Sequence, residues 1–379
     1  MSGNPDDVEP AVGALRYERR QMLPKTTMCN DKLHQFLQAL PKCEHHVHIE
    51  GTISPELFFR LASKNGITLP SDDPAFDSPA ALHARYQNFT SLDDFLHYYF
   101  IGFSALINAS DFEALTYDYL ALAYSQNVYH AEIFFDPQAH ISRNVPYHTI
   151  IAGMNAAKAR AAVELPKLSV EFIPCLLRHL PVPSAHELLE ELLASGHFFD
   201  GTLVGFGMSS TELGKHPSLY KSVYDAAKAA GVGNFTAHYG EEGPSDYVKD
   251  ALSLLNVSRI DHGRRSAEDV DLIAQLAESA TMLTLCPLSN VVLKGVDRMQ
   301  DIPIREFLDA NVRFSINSDD PAYFGGYIQE NYCAIQEAFG LAVEDWEKIA
   351  RGAIAGSWCS LLRKEQLLSE VDSVLQEWN

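Results

Sequence analysis

Basic residues are scarce in this sequence: 29 Lys and Arg stand against 50 Asp and Glu in 379 residues, a formal charge of −21. Binding a phosphate backbone or an anionic membrane needs a positive field, so this deficit sets both aside and leaves a small molecule as the expected partner. Cysteine is sparse too. The six residues (Cys29, Cys43, Cys175, Cys286, Cys333 and Cys359) form no CxxC pair. That argues against a disulfide framework, a cysteine zinc site or an iron–sulfur centre, and they read as reduced thiols, mostly in the core. No apolar stretch approaches the roughly 18 residues of a membrane span, and the acidic opening "MSGNPDDVEPAVG" lacks the apolar segment of a secretory signal. A cytoplasmic protein is expected, with the nucleus also open to it. Absent repeats and low-complexity linkers point to one domain over 31–379 behind an N-terminal extension at 1–30.

What the sequence does hold is eight short runs of β-branched and apolar residues, separated by segments of helical period. They are 43–49, 128–135, 168–177, 202–208, 234–239, 258–262, 281–288 and 312–317. Strands alternating with helices build a parallel sheet, and eight of them suit a closed (β/α)8 TIM-type barrel in the α/β class. A mostly helical insert after the first strand, from about 52 to 127, contains "SLDDFLHYYFIGFSALI", whose aromatics would suit the lid of an apolar pocket. The segment "SAEDVDLIAQLAES" is expected to be a helix opening on its serine, with acids in the first turn.

In such barrels the chemistry sits at the C-terminal ends of the strands. In "EHHVHIEG" (44–51) the i, i+2 spacing lets His46 and His48 point together while His45 turns away. His238 ends the fifth run, His262 the sixth, and Asp319 and Asp320 follow the eighth. His46, His48, His238 and Asp319 are nitrogen and oxygen donors of the kind that hold a single Zn²⁺ with one position left for water. Glu241, three residues past His238, stands where a buried carboxyl can serve as general acid, and His262 where an imidazole can orient or deprotonate the water. Adjacent acids point apart, so Asp320 is free to face a substrate NH. Glu242 reads as a solvated loop residue.

These motifs, "EHHVHIEG", "HYGE", "DHG" and "SINSDDP" in that order, resemble those of the adenosine/adenine deaminase family of the amidohydrolase superfamily. The resemblance implies zinc-dependent hydrolysis of adenine to hypoxanthine and ammonia, with adenosine or another 6-aminopurine as the alternative substrate and a non-catalytic purine-binding relative as a further one. It implies that Glu241 protonates purine N1, that Asp320 meets N7, and that the backbone near Ser210 in "GFGMSSTELG" meets N3. The segment "FFDPQAH" (134–140) is similar to one of the adenine-specific branch. There Glu50 replaces the Asp usual in nucleoside enzymes and, one methylene longer, would intrude on the ribose space. His45, Tyr239 and Ser209 depart from the pattern, Ser209 standing where the adenine type has Asp. A deaminase of the cytidine type would need H-x-E with P-C-x-x-C, which is absent.

Overall fold

The computed structural model describes residues 32–378. The extension expected at 1–30, with Cys29, lies outside them. Each of the eight runs overlaps a parallel strand, though the first and fourth share only two residues with theirs: β1 Lys42–Glu44, β2 Val128–Phe135, β3 Ser169–Leu177, β4 Gly207–Ser209, β5 Thr236–Tyr239, β6 Arg259–His262, β7 Met282–Leu285 and β8 Phe314–Ile316. They pair in two four-stranded sheets, β1-β2-β3-β4 and β5-β6-β7-β8. Backbone bonds close both seams. Thr236 N donates to Phe206 O (3.1 Å) between β4 and β5; Asp319 N donates to His46 O and His48 N to Asp319 O (3.0 Å each) between β8 and β1. The result is the closed (β/α)8 barrel.

β1 is shorter than the run 43–49. Between Glu44 and His46 side chains enter the seam with β8 and interrupt the ladder: His45 N donates to Asn317 Oδ1 (2.8 Å) and Ser318 N to Glu44 Oε1 (3.0 Å). The chain crosses from β1 to β2 through helices α1 (Pro55–Asn65), α2 (Pro79–Tyr86), α3 (Leu92–Phe103) and α4 (Ala109–Ser125). α3 starts where Ser91 accepts from Asp94 N and two acids complement the helix N-terminus. Later in the chain, α5 (Val270–Ser279) starts four residues past the expected serine. Asp269 takes the N–H groups of Asp271 and Leu272, while Ser266 is buried in the preceding 3₁₀ turn.

Inside the barrel, beneath its C-terminal mouth, Arg259 and Glu132 form a fully buried ion pair (2.6 Å), and His130 Nε2 bonds the same carboxylate at 2.9 Å. The Trp358 ring packs 3.9 Å from the Arg259 guanidinium. Burial alone would raise the Glu132 carboxyl, but Arg259 and His130 hold it well below the usual range. Replacing Arg259 by Met strands that carboxylate, and the expected loss of unfolding free energy is about 3–5 kcal/mol by denaturant titration. A loss under 1 kcal/mol would count against the pair as a structural element.

Candidate active site

The strand ends converge as the residue types require. His46 Nε2 lies 3.1 Å and His48 Nε2 3.7 Å from Asp319 Oδ1, and the Nε2 atoms of His48 and His238 are 3.0 Å apart. All four side chains are buried. Burial, together with the neighbouring imidazoles, pushes His46 and His238 well below the ordinary histidine range, and burial brings His48 to about 4 although Asp319 opposes it. Neutral imidazoles present lone pairs to a cation.

Ligands at the 2.0–2.2 Å typical of Zn²⁺ nitrogen and oxygen bonds stand about 3.3 Å from one another in a tetrahedron. The spacings here bracket that edge. His46 Nε2 also has no hydrogen-bond partner despite being buried, as expected of an atom whose partner is a metal. The donor set therefore fits a divalent metal. Cys286 Sγ also falls within 4.8 Å of donor atoms of His46, His262 and Asp319. Its thiol faces Thr284 O at 3.6 Å, and burial, reinforced by Asp319, raises its pKa well above the usual value, so it stays a protonated neighbour.

Behind the imidazoles stands a second set of groups. His46 Nδ1 bonds Thr284 Oγ1 (2.8 Å), which donates to Asp261 Oδ1 (3.1 Å), and Asp261 Oδ2 lies 3.2 Å from His238 Nδ1, out of line for a hydrogen bond. One carboxylate thus steadies rings from two strands. Thr284→Val removes the link and is expected to weaken metal binding about 10- to 100-fold, read by competition with a chromogenic chelator. An unchanged affinity would show that Thr284 only fills space.

Glu241 and His262 face each other over the donor set, His262 Nε2 lying 3.6 Å from Glu241 Oε2 and 3.9 Å from Asp319 Oδ2. Burial first, then Asp319, Glu242 and Glu212, raises the Glu241 carboxyl well above its ordinary value. Burial, aided by His46, keeps His262 well below the histidine range. A carboxyl that holds its proton more tightly than usual and an imidazole that stays neutral therefore sit side by side. His262, Asp319 and Ser210 all adopt positive φ (62°, 63° and 80°). Such conformations cost roughly 1–3 kcal/mol each, and three of them cluster at one cavity.

That cavity, about 430 Å³ of space free of protein atoms and partly open to solvent, is bordered by His48, His238, Glu241, His262, Asp319 and Asp320. Leu92, Phe95, Leu96, Tyr99 and Phe100 of α3 form its apolar wall, and Asp136, Ser209 and Ser210 border it as well. Asp320 is brought close by Gly51: a Cβ there would sit 2.0 Å from Asp320 Oδ1 and 2.7 Å from its Cα.

Glu50 is placed differently from the expectation. It opens a 3₁₀ turn, Glu50–Thr52, which turns its side chain behind the cavity wall, where Oε1 accepts from Asp136 N (3.1 Å) and pairs with His140 Nε2 (2.9 Å). It is not among the residues that border the cavity and stands one hydrogen bond behind Asp136, which is. His45 bonds Ser357 Oγ (2.7 Å), away from the donor set. Tyr239 faces outward, its hydroxyl on Lys215 O (3.0 Å).

Two further residues shape the site without a sequence signal. Glu212, fully buried, accepts the N–H groups of Gly240, Glu241 and Glu242 at 2.9, 3.1 and 2.8 Å, and so fixes the turn that aims Glu241. Arg178 at the end of β3 donates Nε to Ser210 O and Thr211 O (2.8 Å each) and Nη1 to His238 O. Nothing in their local sequence marks either one, since both act on residues of other strands.

Comparison with known proteins adds an independent line. The family model described as adenosine deaminase matches residues 41–374. An adenine deaminase of Gibberella zeae is 54% identical over 351 residues, 93% of this chain and 99% of the relative. The crystal structure of an adenine deaminase from Arthrobacter aurescens superposes with a TM-score of 0.83 at 40% identity, covering 89% of this chain and 99% of that one. An amidohydrolase from Burkholderia ambifaria with bound zinc gives 0.82 at 25% identity, covering 93% and 96%.

Proposed function

The chain belongs to the adenosine deaminase family, and from that premise we propose that it hydrolyses adenine to hypoxanthine and ammonia, a step of purine salvage. One observation carries the reading: three of the four metal donors (His48, His238 and Asp319), a protonatable Glu241 and the carboxyl of Asp320 open onto one cavity with an apolar wall. His46, His48, His238 and Asp319 would hold one zinc ion per chain, a metal suited to nitrogen and carboxylate donors. When bound, the ion lowers the pKa of water towards neutrality and so supplies a nucleophile at C6.

The rest is work for the protein's own groups. Leu92, Phe95 and Phe100 grip the ring and exclude bulk water. Glu241 gives its proton to N1 as the nucleophile adds at C6, which moves electron density out of the ring's C6–N1 bond. His262 orients the attacking water and takes its proton, which leaves with the departing amine as ammonia, while the proton left on the C6 hydroxyl returns to Glu241 as the C6 carbonyl forms. Asp320 holds N7, and the backbone at Ser210 faces N3. No helix among the described residues is long and apolar enough to cross a membrane.

The test is ammonia release by zinc-loaded protein, with adenine and adenosine side by side. Adenine is expected to be favoured in kcat/KM by orders of magnitude. Adenosine turning over faster would move the assignment to the nucleoside, and no release from either would sink it.

A further inference from the structure

Free adenine differs from every nucleoside at one position: its N9 is unsubstituted and shares in a hydrogen bond, whereas in a nucleoside N9 carries the sugar. A protein that selects the base needs a polar group at that edge. Proceeding around the barrel from β8 through β1 to β5, and setting aside Tyr99 and the proposed metal donors His48, His238 and Asp319, the polar side chains bordering the cavity come in the order Asp320, Asp136, Ser209 with Ser210, and Glu241. The ring positions of adenine, read around its perimeter, come in the order N7, N9, N3, N1. With Asp320 at N7 and Glu241 at N1, the residue that falls to N9 is Asp136.

Asp136 follows directly on β2 and is 2% exposed, bordering the cavity without reaching bulk solvent. Its carboxyl is held from two sides, Oδ1 accepting from Ser209 Oγ (3.0 Å) and Oδ2 from Tyr99 OH (3.4 Å). Its own N–H is tied to Glu50 Oε1 (3.1 Å), and Glu50 to His140. Each carboxyl oxygen keeps a lone pair for one more partner. We propose that Asp136 hydrogen-bonds the N9 edge of the purine and is the residue by which this protein distinguishes the free base from 9-substituted purines.

The proposal rests on the adenine reading above. The hydrogen bond needs one proton between the two atoms, on N9 of the 9H tautomer or on the carboxyl facing the 7H tautomer; a 9-alkyl group blocks both. Glu50 then contributes through Asp136, as a positioning residue that fixes its backbone. Ser209, which departs from the family pattern, supplies a hydroxyl that orients the carboxyl in the role left to it.

The experiment compares adenine with 9-methyladenine in steady-state ammonia release by the zinc-loaded full chain, for the native protein, Asp136→Ala and Ser209→Ala. Removing the carboxyl leaves the buried N9 edge without its partner, which is expected to lower kcat/KM on adenine about 10- to 100-fold in Asp136→Ala. The rate on 9-methyladenine should hold or rise, so that the preference for the unsubstituted base narrows by at least that factor. Ser209→Ala, which leaves the carboxyl in place with one donor fewer, is expected to narrow it a few-fold, and it stands as the test if the alanine at 136 fails to fold. An equal fall on both substrates, or an unchanged preference in both variants, overturns the assignment of N9 to Asp136 while adenine turnover by the native protein keeps the function intact. A native protein that turns over adenosine but not adenine overturns both.

Discussion

Glu241→Gln is expected to lower kcat on adenine about a thousandfold while bound metal and KM stay close to the native values. Glutamine has the shape and can donate an N–H to N1, but it cannot transfer a proton, and general acid catalysis is typically worth about 10²- to 10⁴-fold. The substitution should not disturb the fold. The turn that carries residue 241 is fixed from below by three backbone N–H groups on Glu212, none of which involves the Glu241 side chain. A pH profile separates chemistry from shape. Burial and the nearby carboxylates raise the Glu241 carboxyl; the positive charge of a metal on Asp319 offsets part of that rise. The acid form is the active one, so native kcat falls as pH rises through this pKa, and the variant should lack that limb. A variant within tenfold of native, or one that keeps the limb, would transfer the proton donor's role to another group.

His238→Ala is expected to abolish turnover, by about 10⁴-fold or more, together with stoichiometric metal. It removes one of the four donors and leaves His48 Nε2 without the ring now 3.0 Å from it. Metal measured directly by atomic absorption should fall well below one per chain. A second readout does not depend on activity: a ligand that binds only the folded state raises stability by mass action. The native protein should therefore melt at a lower temperature after chelation, and that difference should shrink in the variant. Full metal content with an unchanged melting gap would mean that His238 is not a ligand.

The parts of this site that could be read from the sequence are those whose geometry is local. His46 and His48 were legible from i, i+2 spacing, and the placement of His238, His262, Asp319 and Asp320 from the rule that function collects at strand ends. Glu50 shows where that logic stops. It lies two residues beyond His48, yet a 3₁₀ turn swings it behind the wall, and spacing along a strand says nothing once the strand has ended. Glu212 and Arg178 were invisible for a different reason. Glu212 acts on backbone 28 residues away and Arg178 on a carbonyl 60 residues away, so their meaning exists only once neighbouring strands are side by side. The eight strands were legible as runs, but β1 broke off early because side chains of Asn317 and Glu44 take over the bonds an uninterrupted ladder would make.

The seam between β8 and β1 bears on how the protein is made. Its bonds run between His46, His48 and Asp319, which are themselves three of the four proposed metal donors. A chain leaving the ribosome therefore carries two imidazoles early, a third in its middle and the only carboxylate donor near its end. Closure of the cylinder at this seam and completion of the proposed donor set thus depend on the same residue.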